Sequence, residues 1–199
     1  MLSYDDIDLN AVHVNGHTQD ARGNKRAAIT FQGKPAAFRL PCMRCPFGAN
    51  LWQDQEGSRK NIQFNSTPEV QAFFERLDTT ILQSAALRSV EFFGQTLSTD
   101  ALQALYTPLL RKSKDEQYPP TVRAKINIEG RRCVKCFDPG LNPRPAPEDF
   151  RGDLQPAVAL SHLWFQNKAF GAILEVTACV IHEDEAPCPF STELEIARE

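Results

Sequence analysis

The 199-residue sequence contains no apolar run approaching the roughly 18 residues that a bilayer-crossing helix needs, so no membrane partner is expected. Its first ten residues carry three Asp and no basic residue, unlike a secretory signal, and an intracellular protein is expected. Six cysteines are too few for a disulfide framework at this length, which points to reduced thiols. There is no P-loop, GxGxxG, GxSxG or HExxH segment. The four histidines, His13, His17, His162 and His182, are scattered, and no paired catalytic groups can be placed, so a non-enzyme is expected. His162 alternates with Leu160 and Trp164 and reads as a part-buried histidine. His182 precedes Glu183, Asp184 and Glu185 and reads as part of a solvated acidic turn.

What is present suits a globular chain: 42% hydrophobic and 24% charged residues. The net charge of -3 conceals a polarity. Residues 111–135 hold eight basic and three acidic residues, a balance of +5; residues 183–199 hold six acidic and one basic, a balance of -5. Local field steers a charged partner, so overall acidity does not exclude a polyanion.

Residues 1–26 are polar and read as a flexible arm with one short strand near residues 9–14. Residues 27–32 and 36–40 flank a Gly33-Lys34-Pro35 turn and read as strands, with another strand over residues 60–65. Thr67-Pro68 is an N-cap followed by Pro at the first helical position. Val70, Phe73, Phe74, Leu77, Ile81 and Ala85 then share one helical face, and Gly94 ends the pattern. A second helix over residues 99–109 carries Leu102, Leu105, Tyr106 and Leu109. Residues 121–128 alternate strictly, with Val122, Ala124, Ile126 and Ile128 on one face and Arg123 and Lys125 on the other. Glu129-Gly130 reads as a hairpin turn into a strand over residues 131–138. Residues 139–156 read as a long Pro-rich loop. Residues 157–165 and 169–181 are two more strands, the latter with Phe170, Ala172, Leu174, Val176, Ala178 and Val180 on one face. Strands, then helices, then strands make an α+β class.

Several groups could carry chemistry. Arg123 and Lys125 lie on an outward strand face. Lys135 and Phe137 join them if Gly130 sits in a bulge that shifts hairpin parity by one. Arg131 and Arg132 continue the basic stretch, and Arg111, Lys112 and Lys114 precede Tyr118. A positive face bearing aromatics is what a single-stranded nucleic acid needs, although charged faces are more often merely solvated. Trp164 and Phe165 are adjacent on one strand, so one faces the core and the other is free to stack on a base. Phe47 and Trp52, near Arg44, form a weaker aromatic patch.

Cys42-x2-Cys45 and Cys133-x2-Cys136 are two CxxC pairs, a composition that suits a structural zinc. Against that centre, Cys133 and Cys136 lie in an apparent strand where positions i and i+3 diverge. Cys179 and Cys188 read as small buried hydrophobes. The acidic tail, residues 183–199, is of a kind that usually just keeps a protein soluble; in single-strand binders such a tail can occupy the basic groove or recruit replication proteins.

Short segments in order carry a family resemblance: Pro41 and Pro46-Phe47-Gly48; Phe92-Phe93-Gly94; Leu105-Tyr106-Thr107-Pro108; Arg111-Lys112-Ser113-Lys114-Asp115; Tyr118-Pro119-Pro120-Thr121; Leu163-Trp164-Phe165; and Lys168-Ala169-Phe170-Gly171. They span roughly residues 27–182, and the chain resembles the single-stranded DNA-binding proteins of large DNA viruses of algae and protists. The resemblance implies an OB-like, partly closed antiparallel β-barrel with an inserted helical pair, at about residues 67–110. It also implies replication-associated binding in the nucleus or at a viral replication site. It points to Lys114, Tyr118, Lys125, Trp164, Phe165 and Lys168 as groove residues. Both CxxC pairs and the N-terminal arm depart from the family pattern. The reading is a non-catalytic single-stranded DNA binder with residues 27–182 as its domain. The alternatives are a zinc-stabilised RNA- or transcription-associated protein and a scaffold reusing the fold. DNA and RNA are not separable from these residues, and homo-oligomerisation stays open.

Overall fold

The computed structural model describes residues 1–20, 22–49, 59–113, 115, 117–166 and 169–182. Ile7, Leu9, Val12 and Val14 are each no more than 9% exposed. These four side chains hold the N-terminal segment on the core, so it is not the loose arm its polar composition suggests. Two single 3-10 turns, Tyr4–Asp6 and Leu9–Ala11, lead into strand β1 (Val12–Gln19), which pairs antiparallel with β2 (Lys25–Phe31). A strand anchored on alternate residues needs few apolar side chains, which is why composition hides it.

Gln32 and Gly33 take φ of 50° and 73°, a two-residue turn whose twist matches the strands it joins. The turn therefore ends one residue before Lys34, and β3 (Lys34–Arg39) includes Pro35. Strand β4 (Met43–Cys45) crosses the expected loop, and β5 is Arg59–Asn65. The Thr67 hydroxyl accepts from Val70 N–H and caps α1 (Pro68–Leu87), whose apolar face is buried at the positions its periodicity marks. The helix breaks at Arg88; α2 (Ser89–Phe93) ends at Gly94, with φ 75°. The third helix, α3 (Thr99–Leu105), stops short of the expected residue 109. Pro108 denies its own N–H to a helix and pushes Thr107 towards extended backbone, so β6 (Tyr106–Thr107) follows at once.

Strand β7 (Leu110–Arg111) pairs with β8 (Thr121–Asn127), which pairs antiparallel with β5 along its whole length. The expected hairpin after β8 is absent. Residues 128–134 loop out through Gly130, at φ 79°, and return, with Val134 N–H donating to Asn127 C=O at 2.8 Å. The chain then resumes its direction as β9 (Lys135–Phe137), and β8 and β9 lie end to end, both parallel to β12. Strand β10 (Pro143–Arg144) pairs with β9. The two long strands, β11 (Gly152–Gln166) and β12 (Ala169–His182), are antiparallel partners.

Strands β4, β3 and β2 occupy successive stretches of one edge of β11. On its other edge the sheet runs through β12 and β8 to β5, and β5 curls back to approach β4. The result is an OB-like, partly closed barrel with α1–α3 inserted between β5 and β6. Its pairing is mainly antiparallel, with β6, β8 and β9 parallel to β12.

Two irregularities in the β11–β12 ladder decide which side chains face out. One falls between Leu160 and Leu163, the other between Ala157 and Val158. The second inverts the parity of β12. Leu174 and Val176 are buried, then Cys179 and Ile181, while Ala178 and Val180 face outward, against the single-face expectation for this strand.

One buried carboxylate ties the helices to the barrel. Asp78 of α1, 8% exposed, accepts from Tyr106 Oη at 2.6 Å and from Leu109 N–H at 3.2 Å. Burial pushes its pKa from 3.8 up to about 6, against the lowering effect of those hydrogen bonds. A raised carboxyl pKa favours the protonated form in the fold. Its contribution is therefore complete below pH 3.8 and is lost as pH rises through about 6. Wild-type protein is expected to lose about 2–3 kcal/mol of this contribution between roughly pH 4 and pH 7. Denaturant midpoints at the two pH values, compared with Asp78→Asn, check it. An equal loss in the variant rules Asp78 out as the source.

Candidate nucleic-acid interface

The outward face of β8 is where the strict alternation of residues 121–127 matters. Val122, Ala124 and Ile126 are at most 2% exposed, which forces Arg123 and Lys125 to the opposite face. Antiparallel pairing sets Asn61 beside Lys125 and Gln63 beside Arg123. Arg123 Nε–H donates to Asn61 Oδ1 at 3.2 Å, which fixes the guanidinium across the strand pair.

At the other wall, the irregularity between Leu160 and Leu163 resolves the aromatic pair. Leu163 is buried, so Trp164 turns outward and Phe165 inward. The Trp164 indole lies over Gly171 of β12, where a Cβ would come within 3.1 Å of Cζ2 and Nε1. The same Cβ would come within 2.9 Å of the Thr107 carbonyl oxygen, so glycine suits the backbone and the ring together. Phe165 instead packs on Phe92, Phe93 and Phe170, at centroid distances of 5.1, 5.7 and 6.0 Å, and joins the cleft lining from that position. Arg26 is the β2 partner of Trp164 and is held by Asp20 at 2.9 Å.

Between these walls lies a cleft of about 550 Å³. Lys25, Arg26, Arg59, Arg111, Arg123 and Lys125 line it together with Asn61, His162 and Trp164, and none of its described lining residues is Asp or Glu. Two carboxylates border it: Asp20, 2.9 Å from Arg26, and Glu175, which accepts from Asn127 Nδ2–H and lies 4.0 Å from Arg59. The electrostatics are those of like charges held together. Burial, then Arg123 and Arg59, lower the Lys125 pKa; burial, then Arg111, lower that of Arg123. His162 is lowered by burial and by Arg26 and Arg59. An anion entering the cleft relieves this repulsion.

The sequence-derived candidates distribute unevenly. Arg111, Arg123, Lys125 and Trp164 meet in the cleft. Lys112 points to a second hollow and pairs with Glu75 at 3.0 Å. Tyr118 is 60% exposed, outside the cleft lining. Arg131, Arg132 and Lys135 are exposed, and Phe137 is half-buried, on or beside β9. Lys114, Lys168, Trp52 and the acidic tail lie outside the described residues. Sequence reading missed Lys25, Arg26, Arg59 and Asn61. Lys25-Arg26 and Arg59-Lys60 are visible as basic pairs, but nothing in the sequence sets either pair beside β8 or Trp164.

The cysteines do not sort by their CxxC pairs. Cys136 and Cys179 are partners across β9 and β12, both buried. Cys133 is half-buried and donates to Ile128 C=O. Burial raises the Cys45 and Cys136 thiols to about 11, so both are protonated at neutral pH. Among the described residues, no three Cys, His, Asp or Glu side chains form a group able to hold a metal ion. The four-thiolate arrangement suggested by the spacing is therefore not assembled: β9 turns Cys136 towards Cys179 and leaves Cys133 in the preceding loop.

The model of a family of unknown function (DUF5871) matches residues 51–194. The protein belongs to that family. No curated protein matches the chain. Among solved structures, the DUF5871 protein is similar to the single-stranded DNA-binding protein from bacteriophage Enc34 in complex with ssDNA. The TM-score is 0.50 at 8% identity, over 88% of this chain and 98% of that one. It is also similar to gp2.5, a single-stranded DNA binding protein encoded by bacteriophage T7. Here the TM-score is 0.52 at 11% identity, over 80% and 94% of the two chains. At such identities the likeness is one of fold.

Proposed function

We propose that this DUF5871 protein binds single-stranded DNA without catalysing a reaction on it, in replication, repair or recombination. The observation that carries the reading is the cleft itself, with six cations and no carboxylate among its described lining residues and the Trp164 indole laid on Gly171. Cations along a groove neutralise phosphates, and an exposed ring stacks on an unpaired base with little sequence preference. A duplex offers its bases only edge-on, so the aromatic platform favours a single strand. The named binding of the two phage proteins supports the same reading. The acidic residues 183–199 are proposed to recruit replication proteins, on the strength of their net charge of -5.

The test is fluorescence anisotropy of labelled single-stranded DNA, duplex DNA and RNA of equal length. Single-stranded DNA is expected to bind most tightly, and Trp164→Ala to weaken it by about 1–3 kcal/mol with the fold intact. Equal affinity for duplex and single strand, unchanged in Trp164→Ala, rejects the proposal.

A further inference from the structure

The loop-out of residues 128–134 has a consequence for the surface. Because β8 and β9 lie end to end along β12, their outward residues form one line. It runs from Arg123 and Lys125 to Lys135 and Phe137, the last two opposite Ala178 and Val180. Cys136, between Lys135 and Phe137, is 4% exposed, so its two neighbours face away from the core. Phe137 is half-buried, yet it is not among the side chains packed against the core cluster. Its ladder neighbours on this face are Val180 and Pro143. Arg131 and Arg132 stand exposed on the loop between the two strands, with Glu129 the acid beside them.

We infer that Phe137 and Lys135 form a second single-strand subsite, continuous with the cleft at Trp164. The inference rests on the function proposed above. Trp164 pairs with Gly171 and Phe137 with Val180. At about 3.3 Å per residue, the two aromatic positions are about 30 Å apart along β12. Glu175 lies between them, but its charge is engaged by Asn127 and Arg59. A strand following the line passes the loop of residues 128–134 just before Lys135, then meets Lys135 for a phosphate and the Phe137 ring for a base. The far subsite is out of reach of a short oligonucleotide held at Trp164. It therefore sets how affinity grows with strand length, within the roughly 4–16 nucleotides that one OB fold covers.

The experiment measures binding of oligothymidylates of roughly 4 and roughly 16 nucleotides to wild type, Phe137→Ala, Lys135→Glu and Trp164→Ala. Phe137→Ala is expected to weaken the long strand by about 5- to 150-fold and leave the short one unchanged. Lys135→Glu, at an exposed position, is expected to act in the same direction. Trp164→Ala is expected to weaken both lengths. Unchanged long-strand affinity in both β9 variants overturns the subsite, as does an equal loss for both lengths. Wild type that binds neither length rejects the single-strand reading as a whole. Wild type that binds both, with the β9 variants indistinguishable from it, rejects the subsite alone.

Discussion

Raising monovalent salt from roughly 50 to 200 mM is expected to weaken single-strand binding a few hundred-fold. Each phosphate neutralised on a single strand contributes about -0.7 to the slope of log affinity against log salt. Lys25, Arg26, Arg59, Arg111, Arg123 and Lys125 line the cleft, so full engagement puts the slope near -4. Burial, and after it the neighbouring cations, lower the pKa values of Arg123 and Lys125. The cleft assembles charges that repel one another, and a polyanion removes that cost. Anisotropy titrations over a salt series check the slope. Lys125→Ala should reduce its magnitude by about 0.7, whatever the sequence of the strand. A slope near zero means the cations are satisfied inside the protein, and the cleft is then not a phosphate track.

Phe170→Ala is expected to cost about 3–5 kcal/mol of folding stability, the largest single loss at this site. Phe170 is fully buried and stands where three elements meet. Its ring touches Phe93 of α2 at 5.3 Å, Tyr106 of β6 at 5.1 Å, and Phe165 of β11. Truncation leaves a cavity that neither the helices nor the long strands can close without shifting the other. Gly171 and the Trp164 indole follow immediately in the chain and across the ladder, so the same change loosens the stacking platform. Denaturant unfolding gives the stability loss. A loss below about 1 kcal/mol shows that the site collapses around the missing ring and does not tie these elements together.

Some of this fold was open to reading. Thr67-Pro68 and the spacing from Val70 to Ala85 specified α1, because capping and helical periodicity are local. The alternation of residues 121–127 placed Arg123 and Lys125 on an outer face for the same reason. The resemblance carried by short motifs implied the OB-like barrel that the chain adopts. Other features depend on single-residue departures from regularity. Whether Trp164 or Phe165 faces out turns on one irregularity between Leu160 and Leu163, and the face of Ala178 and Val180 on another. A period-2 pattern inverts at each such point, and neither has a sequence signature.

Local sequence accounts for what neighbours along the chain decide: the capped helix, the basic outer face of β8, the clustering of charge in residues 111–135, and the lack of any long apolar run. Long-range pairing accounts for the rest. The ladders bring Arg26 beside Trp164, Arg59 and Asn61 beside β8, and Cys136 beside Cys179. They also set β9 in line with β8 where a hairpin was expected. Pairing partners far apart in the chain are chosen by how the whole barrel buries its apolar faces, and that sum is not written in any one segment.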